Sequence, residues 1–207
     1  MKKQIEVKIC GLTNLEDARA ALDLGADYLG FVLYPKSPRY IAVSALAAIV
    51  DKLPANSRAV GVFVNEPPSV VESVTAACGL CAAQLHGDES ADAFLHLVVP
   101  VWRAVWFRDK AWTPVPAEWR ADRYVVDAAA RGVYGGAGLP ADWRRAAALA
   151  KQHRVMLAGG LTPDNVAKAI RAVSPAGVDV VSGVESRPGK KDIKKLEAFL
   201  RKAKSHD

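Results

Sequence analysis

Eight short β-like runs alternate with stretches of helical periodicity, and this alternation restricts the fold more than any other feature of the chain. The runs are Ile5–Cys10, Tyr28–Leu33, Ala59–Val64, Ala82–His86, Val98–Trp106, Tyr124–Asp127, Val155–Ala158 and Val178–Val181. They recur every roughly 20 to 30 residues, the spacing that parallel strands joined by helical crossovers require. The intervening stretches have readable helix ends. Thr13-x-x-Glu16 has the form of a capping box, followed by Leu15, Ala18 and Leu22 on one face and Gly25 as a stop. Thr162-Pro163 and Asp142 mark two further helix starts. Phe107–Asp122, with Pro114, Pro116, Trp112 and Trp119, does not read as a long helix.

Eight βα units in 207 residues, with no linker or break in composition, predict one α/β domain over 1–207. Its expected form is a closed, single-domain (β/α)8 barrel, the TIM-barrel arrangement, at the lower edge of its usual length. An open doubly wound sheet is the alternative. The only nucleotide-type glycine pattern, Gly136-Ala-Gly138-Leu-Pro-Ala141, lies well past its strand and contains Pro140.

Composition removes other classes. With 51% hydrophobic and 24% charged residues the chain reads as a soluble globular protein. No uncharged apolar run approaches the roughly 18 residues of a membrane span, and charges interrupt Met1-Lys2-Lys3-Gln4-Ile5-Glu6 too early for a signal peptide. A cytoplasmic protein is expected. The net charge of +6 reads either as attraction for anions or as a solvated surface rich in Lys and Arg. Lys190, Lys191, Lys194, Lys195, Arg201, Lys202 and Lys204 read mostly as the wet face of a terminal helix. This tail lies on a helix with a clear core stripe of Ile193, Leu196, Leu200 and Ala203, so nucleic acid is not an expected partner. The three cysteines make no disulfide framework. Cys78-Gly-Leu-Cys81 lies where a helix ends and a strand begins, the reverse of a redox motif, and reads as buried filler.

Strand alternation also assigns faces. Ile5, Val7 and Ile9 share the apolar face that must meet the helices, so Glu6, Lys8 and Cys10 point into the barrel. The same logic turns Arg103 and Asp179 inward as partners for this polar column, because a buried charge needs an opposite one.

Barrel enzymes build their sites at the C-terminal strand ends. Cys10 ends the first run and Asp127 the sixth; a thiolate can remove a carbon-bound proton, and a carboxylic acid can donate one to a leaving oxygen. Lys8 is a cation placed to help the thiolate. Gly159-Gly160 and Ser182-Gly183 follow the seventh and eighth runs; they read as a phosphate cradle or as ordinary tight turns. Arg39, on the loop after the second run, can take a carboxylate through two parallel hydrogen bonds or serve as a surface charge. His86 reads equally as a substrate contact or a strand-end hydrogen bonder. Tyr134-Gly135-Gly136-Ala137-Gly138 reads as a lid or as a surface loop. No metal-ligand spacing appears.

Several ordered motifs together resemble the phosphoribosylanthranilate isomerase family. They are Lys8-Ile9-Cys10-Gly11-Leu12-Thr13-Asn14, Gly30-Phe31-Val32-Leu33-Tyr34-Pro35-Lys36-Ser37-Pro38-Arg39-Tyr40-Ile41, Val60–Asn65, Gln84-Leu85-His86-Gly87, Leu157-Ala158-Gly159-Gly160-Leu161, Ser182-Gly183-Val184-Glu185 and Pro188-Gly189-Lys190-Lys191-Asp192. The resemblance covers essentially the whole chain. It implies a (β/α)8 barrel of tryptophan biosynthesis that needs no cofactor or metal. The implied reaction is an Amadori rearrangement of N-(5-phosphoribosyl)anthranilate to 1-(2-carboxyphenylamino)-1-deoxyribulose 5-phosphate. By this resemblance Asp127 is the general acid and Cys10 the general base. Arg39 holds the anthranilate carboxylate, with His86 and Asp179 as further substrate contacts. Gly159, Gly160, Ser182 and Gly183 hold the phosphate, and Gly135, Gly136 and Gly138 belong to the closing loop. The implied partner is a phosphorylated small molecule, bound by a monomer or homodimer away from membranes. The sequence departs from the family at Ala128, where Thr is common, and at Val181, where Ser is common. A histidine-pathway isomerase with the same chemistry is the alternative; Cys10 and the lack of an evident half-repeat speak against it.

Overall fold

The computed structural model describes residues 4–128 and 141–205. Eight parallel strands run in chain order around a closed sheet: β1 (Glu6–Ile9), β2 (Tyr28–Val32), β3 (Ala59–Phe63), β4 (Ala82–Leu85), β5 (Val101–Arg108), β6 (Arg123–Val126), β7 (Val155–Leu157) and β8 (Gly177–Val180). Each pairs with its neighbours in sequence, and β8 returns to β1 with Lys8 opposite Asp179. Closure leaves no parallel edge exposed. The expected (β/α)8 barrel is therefore what the chain forms, and the open sheet is not.

Among the described residues six α-helices pack outside: α1 (Leu15–Asp23), α2 (Val43–Val50), α3 (Pro68–Ala77), α4 (Trp143–Ala150), α5 (Val166–Val173) and α6 (Ile193–Lys204). None of the described helices is long and apolar enough to cross a membrane. After β4 and β5 the described chain forms single 3-10 turns, Asp92–Phe94 and Pro116–Glu118. Residues 107–122 contain no α-helix, as the prolines there predict. β5 instead runs on into a hairpin with Ala111–Thr113, clipped by the edge-on packing of Phe107 and Trp112.

Helix starts follow side-chain chemistry, with one correction. The cap of α1 is Asn14, whose Oδ1 accepts from Asp17 N at 2.9 Å. Thr13, the expected cap, instead donates to Gly189 O at 2.6 Å, an acceptor 176 residues away. Asp142 caps α4 as expected. Pro163 precedes a turn, so α5 starts three residues later than the Thr-Pro signal suggests.

Two apolar layers result. The larger lies between sheet and helices and takes Val7, Ile9, Leu29, Phe31, Leu85, Val178 and the buried faces of the helices. The smaller fills the barrel with Tyr28, Val60, Ala82, Trp102, Val125, Met156 and Ala158. Trp102 meets Tyr28 edge-on at 4.8 Å, and the Arg123 guanidinium lies over both rings. The polar column on β1 is present. Glu6 pairs with Arg123 at 2.7 Å at the barrel floor, and Lys8 with Asp179 at 3.0 Å above it. Arg103 does not join this column. On β5 it is Trp102 that points inward; Arg103 points outward, stacks on Trp119, and binds Glu89 at 2.8 Å and the carbonyls of Leu85 and Gly87. Both faces of that strand are apolar, so alternation alone did not fix its direction.

The basic tail is also more structured than its composition predicts. Only the last five of its seven charges lie on α6, and Lys191 is buried. Lys190 binds Glu16 and Asp17, and Lys204 binds Asp27. Cys78 is buried at the end of α3 and Cys81 half-buried before β4, in keeping with filler.

Candidate active site

The strand ends converge on one cavity at the C-terminal mouth of the barrel. It is a cleft open to solvent at the barrel mouth. Cys10, Arg39, His86, Asp127, Gly159, Gly160, Asp179 and Ser182 all line it, so eight residues scattered from 10 to 182 share one surface. Gly183 is not among the lining residues; it follows Ser182 and packs closely against the Leu161 carbonyl. Gly135, Gly136 and Gly138, read as a lid, lie outside the described residues.

Cys10 follows β1 directly, and its N–H donates to Val180 O at 2.9 Å. Its thiol is buried against Gly30, where an added Cβ would stand 2.7 Å from the sulfur and 2.9 Å from Lys8 Cε. Glycine is therefore required on β2 for the thiol and the Lys8 stem to share this space. Burial pushes the Cys10 thiol up; the Lys8 ammonium and, more weakly, Lys191 pull it down without overcoming burial. Lys8 itself is raised: burial opposes its charge, but Asp179 and Cys10 outweigh that.

Asp127 lies at the end of β6, with Oδ1 accepting from Ala128 N at 2.7 Å. Its Oδ2 is 3.4 Å from His86 Nε2. The His86 ring rests edge-on against Trp106, and its Nδ1 meets Gln84 Nε2 at 2.8 Å. Gln84 was not singled out in the sequence, yet it lines the cavity and sets the ring's orientation. Its inward position two residues before His86 on one strand was the available signal. Gln84 Oε1, His86 Nε2 and Asp179 Oδ1 are buried and accept or donate no hydrogen bond among the described residues. These three atoms belong to residues that line the cavity from β4 and its end on one side and from β8 on the other, and they are groups a polar ligand can satisfy.

At the ends of β7 and β8 the backbone is open. Gly159 and Gly160 both have positive φ, +77° and +62°, which aims consecutive peptide groups into the cavity. The N–H groups of Gly159, Gly160, Ser182 and Gly183 find no acceptor among the described residues. A Cβ on Gly183 would fall 1.9 Å from Leu161 O, so only glycine lets these two turns touch.

Arg39 reaches the cavity from the β2–α2 loop, already engaged. Its Nε and Nη2 donate to Glu185 at 2.9 and 2.8 Å. The Nε–Nη2 edge belongs to Glu185, which leaves the Nη1–Nη2 end toward the cavity. Glu185 and Lys191 appear in the motifs but were given no role there. A carboxylate and an ammonium flanking a Pro-Gly turn were the only hint.

Comparisons with known proteins give the family. The family model described as N-(5'phosphoribosyl)anthranilate (PRA) isomerase matches residues 7–202. The N-(5'-phosphoribosyl)anthranilate isomerase of Trichlorobacter lovleyi is 47% identical over 97% of this chain and 98% of its own, and that of Pelobacter propionicus 46% identical over 97% and 96%. The phosphoribosyl anthranilate isomerase structure from Thermotoga maritima superposes with a TM-score of 0.83 at 36% identity, covering 97% of this chain and 98% of that one. Another matching structure, at 37% identity, 0.83 and the same coverages, holds reduced 1-(o-carboxyphenylamino)-1-deoxyribulose 5-phosphate. The chain belongs to the phosphoribosylanthranilate isomerases, enzymes of tryptophan biosynthesis.

Proposed function

We propose that the mouth cavity isomerises N-(5-phosphoribosyl)anthranilate to 1-(2-carboxyphenylamino)-1-deoxyribulose 5-phosphate, with Cys10 as general base and Asp127 as general acid. The observation that carries this reading is the meeting in one cavity of a thiol, a carboxyl group, a guanidinium end and a set of unengaged backbone N–H groups. That set matches the substrate's reacting carbon, ring oxygen, carboxylate and phosphate. A solved relative in complex with reduced 1-(o-carboxyphenylamino)-1-deoxyribulose 5-phosphate supports this class of ligand.

The steps follow the chemistry of these groups. Asp127 gives a proton to the ribose ring oxygen as the C1′–O bond breaks and a Schiff base forms. Cys10 removes the proton from C2′, and the electron pair moves to give the enolamine. Tautomerisation to the ketone completes the rearrangement. His86, 3.4 Å from the Asp127 carboxyl, steadies the acid and faces the sugar together with Asp179. Gly159, Gly160, Ser182 and Gly183 present N–H donors to the phosphate. The Nη1–Nη2 end of Arg39 takes the anthranilate carboxylate.

The test is loss of substrate fluorescence when freshly made phosphoribosylanthranilate is added to the protein. Conversion is expected with the intact chain. Cys10→Ala and Asp127→Asn are expected to lower kcat by about 10²-fold or more with folding intact. Near-normal turnover by either variant would remove that residue from its role.

A further inference from the structure

The hairpin after β8 carries a buried charge cluster that touches both ends of the proposed site. Glu185–Arg187 pairs antiparallel with Lys190–Lys191 around Pro188-Gly189. Lys191 Nζ is fully buried and donates to Cys10 O at 2.6 Å, to Val181 O at 3.3 Å and to Glu185 Oε1 at 3.2 Å. The Glu185 carboxylate, 4% exposed, also receives the Gly189 N–H and the Nε–Nη2 edge of Arg39. Two cations therefore share one carboxylate, and the trio keeps one net positive charge where the Arg39 end meets the cavity. Arg39 is further confined by Gly11, where a Cβ would stand 2.7 Å from Arg39 Cδ.

From this connectivity we infer that Glu185 and Lys191 are positioning residues: one brace that fixes which edge of Arg39 meets the substrate carboxylate and where the Cys10 main chain stands. The inference rests on the reading of Arg39 and Cys10 given above. The brace orders a long, rotamer-rich side chain before substrate arrives, which lowers the entropic cost of gripping a planar carboxylate. It also leaves the cluster short of one anion, and a substrate carboxylate supplies it. Burial pushes Lys191 down and opposes ionisation of Glu185, whose carboxyl nevertheless stays below the usual range because Arg39 and Lys191 hold it charged. Lys191 thus spends its donors on a carboxylate and two carbonyls inside the protein rather than on solvent.

Steady-state kinetics with phosphoribosylanthranilate test the brace. Glu185→Gln keeps the shape but removes the charge that seats Arg39; KM is expected to rise about tenfold, with kcat within about threefold, the scale of one lost charged hydrogen bond. Arg39→Lys serves as the reference and is expected to raise KM at least as much. Lys191→Met is expected to lower kcat, because Cys10 O loses its donor. Should Glu185→Gln alone fail to fold, Glu185→Gln with Lys191→Met removes the buried charges together; its KM is expected to rise about tenfold over the unaltered protein, and an unchanged KM overturns the brace. If Arg39→Lys raises KM and Glu185→Gln does not, the brace is overturned while Arg39 keeps its role. If neither changes KM, both the brace and the Arg39 assignment fall. Cys10→Ala in the same assay reports separately on the reaction itself.

Discussion

Replacing Lys8 by methionine tests how the barrel tolerates charge at its centre. Lys8 is fully buried and Asp179 nearly so, with Nζ and Oδ2 3.0 Å apart. Asp179 Oδ1 has no partner among the described residues, so the lysine is the carboxylate's sole hydrogen-bond donor among them. Methionine preserves the stem and removes the ammonium. A buried carboxylate stripped of its cation costs about 3–5 kcal/mol. Urea unfolding with a slope of about 2 kcal/mol/M should show a midpoint lower by about 2 M at pH 7. Adding Asp179→Asn should restore most of the loss. A loss under about 1 kcal/mol at pH 7, or a double variant no more stable than the single, would refute the reasoning.

Two further predictions concern the site. Gly183→Ala places a methyl group 1.9 Å from the Leu161 carbonyl, so the two turns must separate; KM is expected to rise about tenfold or more and the melting temperature to fall, and an unchanged KM in the folded variant would take these turns out of substrate binding. The active form of a general-base cysteine is the thiolate, and burial raises the Cys10 thiol, so kcat/KM should climb with pH through a value above that of an ordinary cysteine. A profile already flat by about pH 8 would show that the Cys10 thiolate does not limit the reaction.

Much of the site was legible because barrel function is tied to strand ends. Cys10, His86, Asp127, Asp179 and Ser182 stand where the strand boundaries place them, and all line one cavity. The glycine turns were legible as backbone openings, since two successive glycines after a strand leave peptide N–H groups uncovered. Charge partners were not legible. Glu6 meets Arg123 rather than Arg103, because β5 fills the barrel with Trp102 and turns its arginine outward to Trp119 and Glu89. Thr13 looked like a cap, yet it serves a hairpin 176 residues later.

What the sequence by itself determined is local and periodic: eight strands, the polar face of β1, the glycine turns, and the order in which chemical groups reach the mouth. These follow from backbone geometry, which repeats every two residues in a strand and every 3.6 in a helix whatever lies across the barrel. What only the tertiary structure decided is the pairing of charges. Arg39 finds Glu185 across 146 residues, and Lys191 reaches the Cys10 carbonyl across 181. Such contacts depend on how closure staggers the strands and on the hairpin after β8 folding back over the mouth. No local period carries that information. It turned a lysine read as solvated surface into a buried post, and left the Arg39 guanidinium with one edge already held.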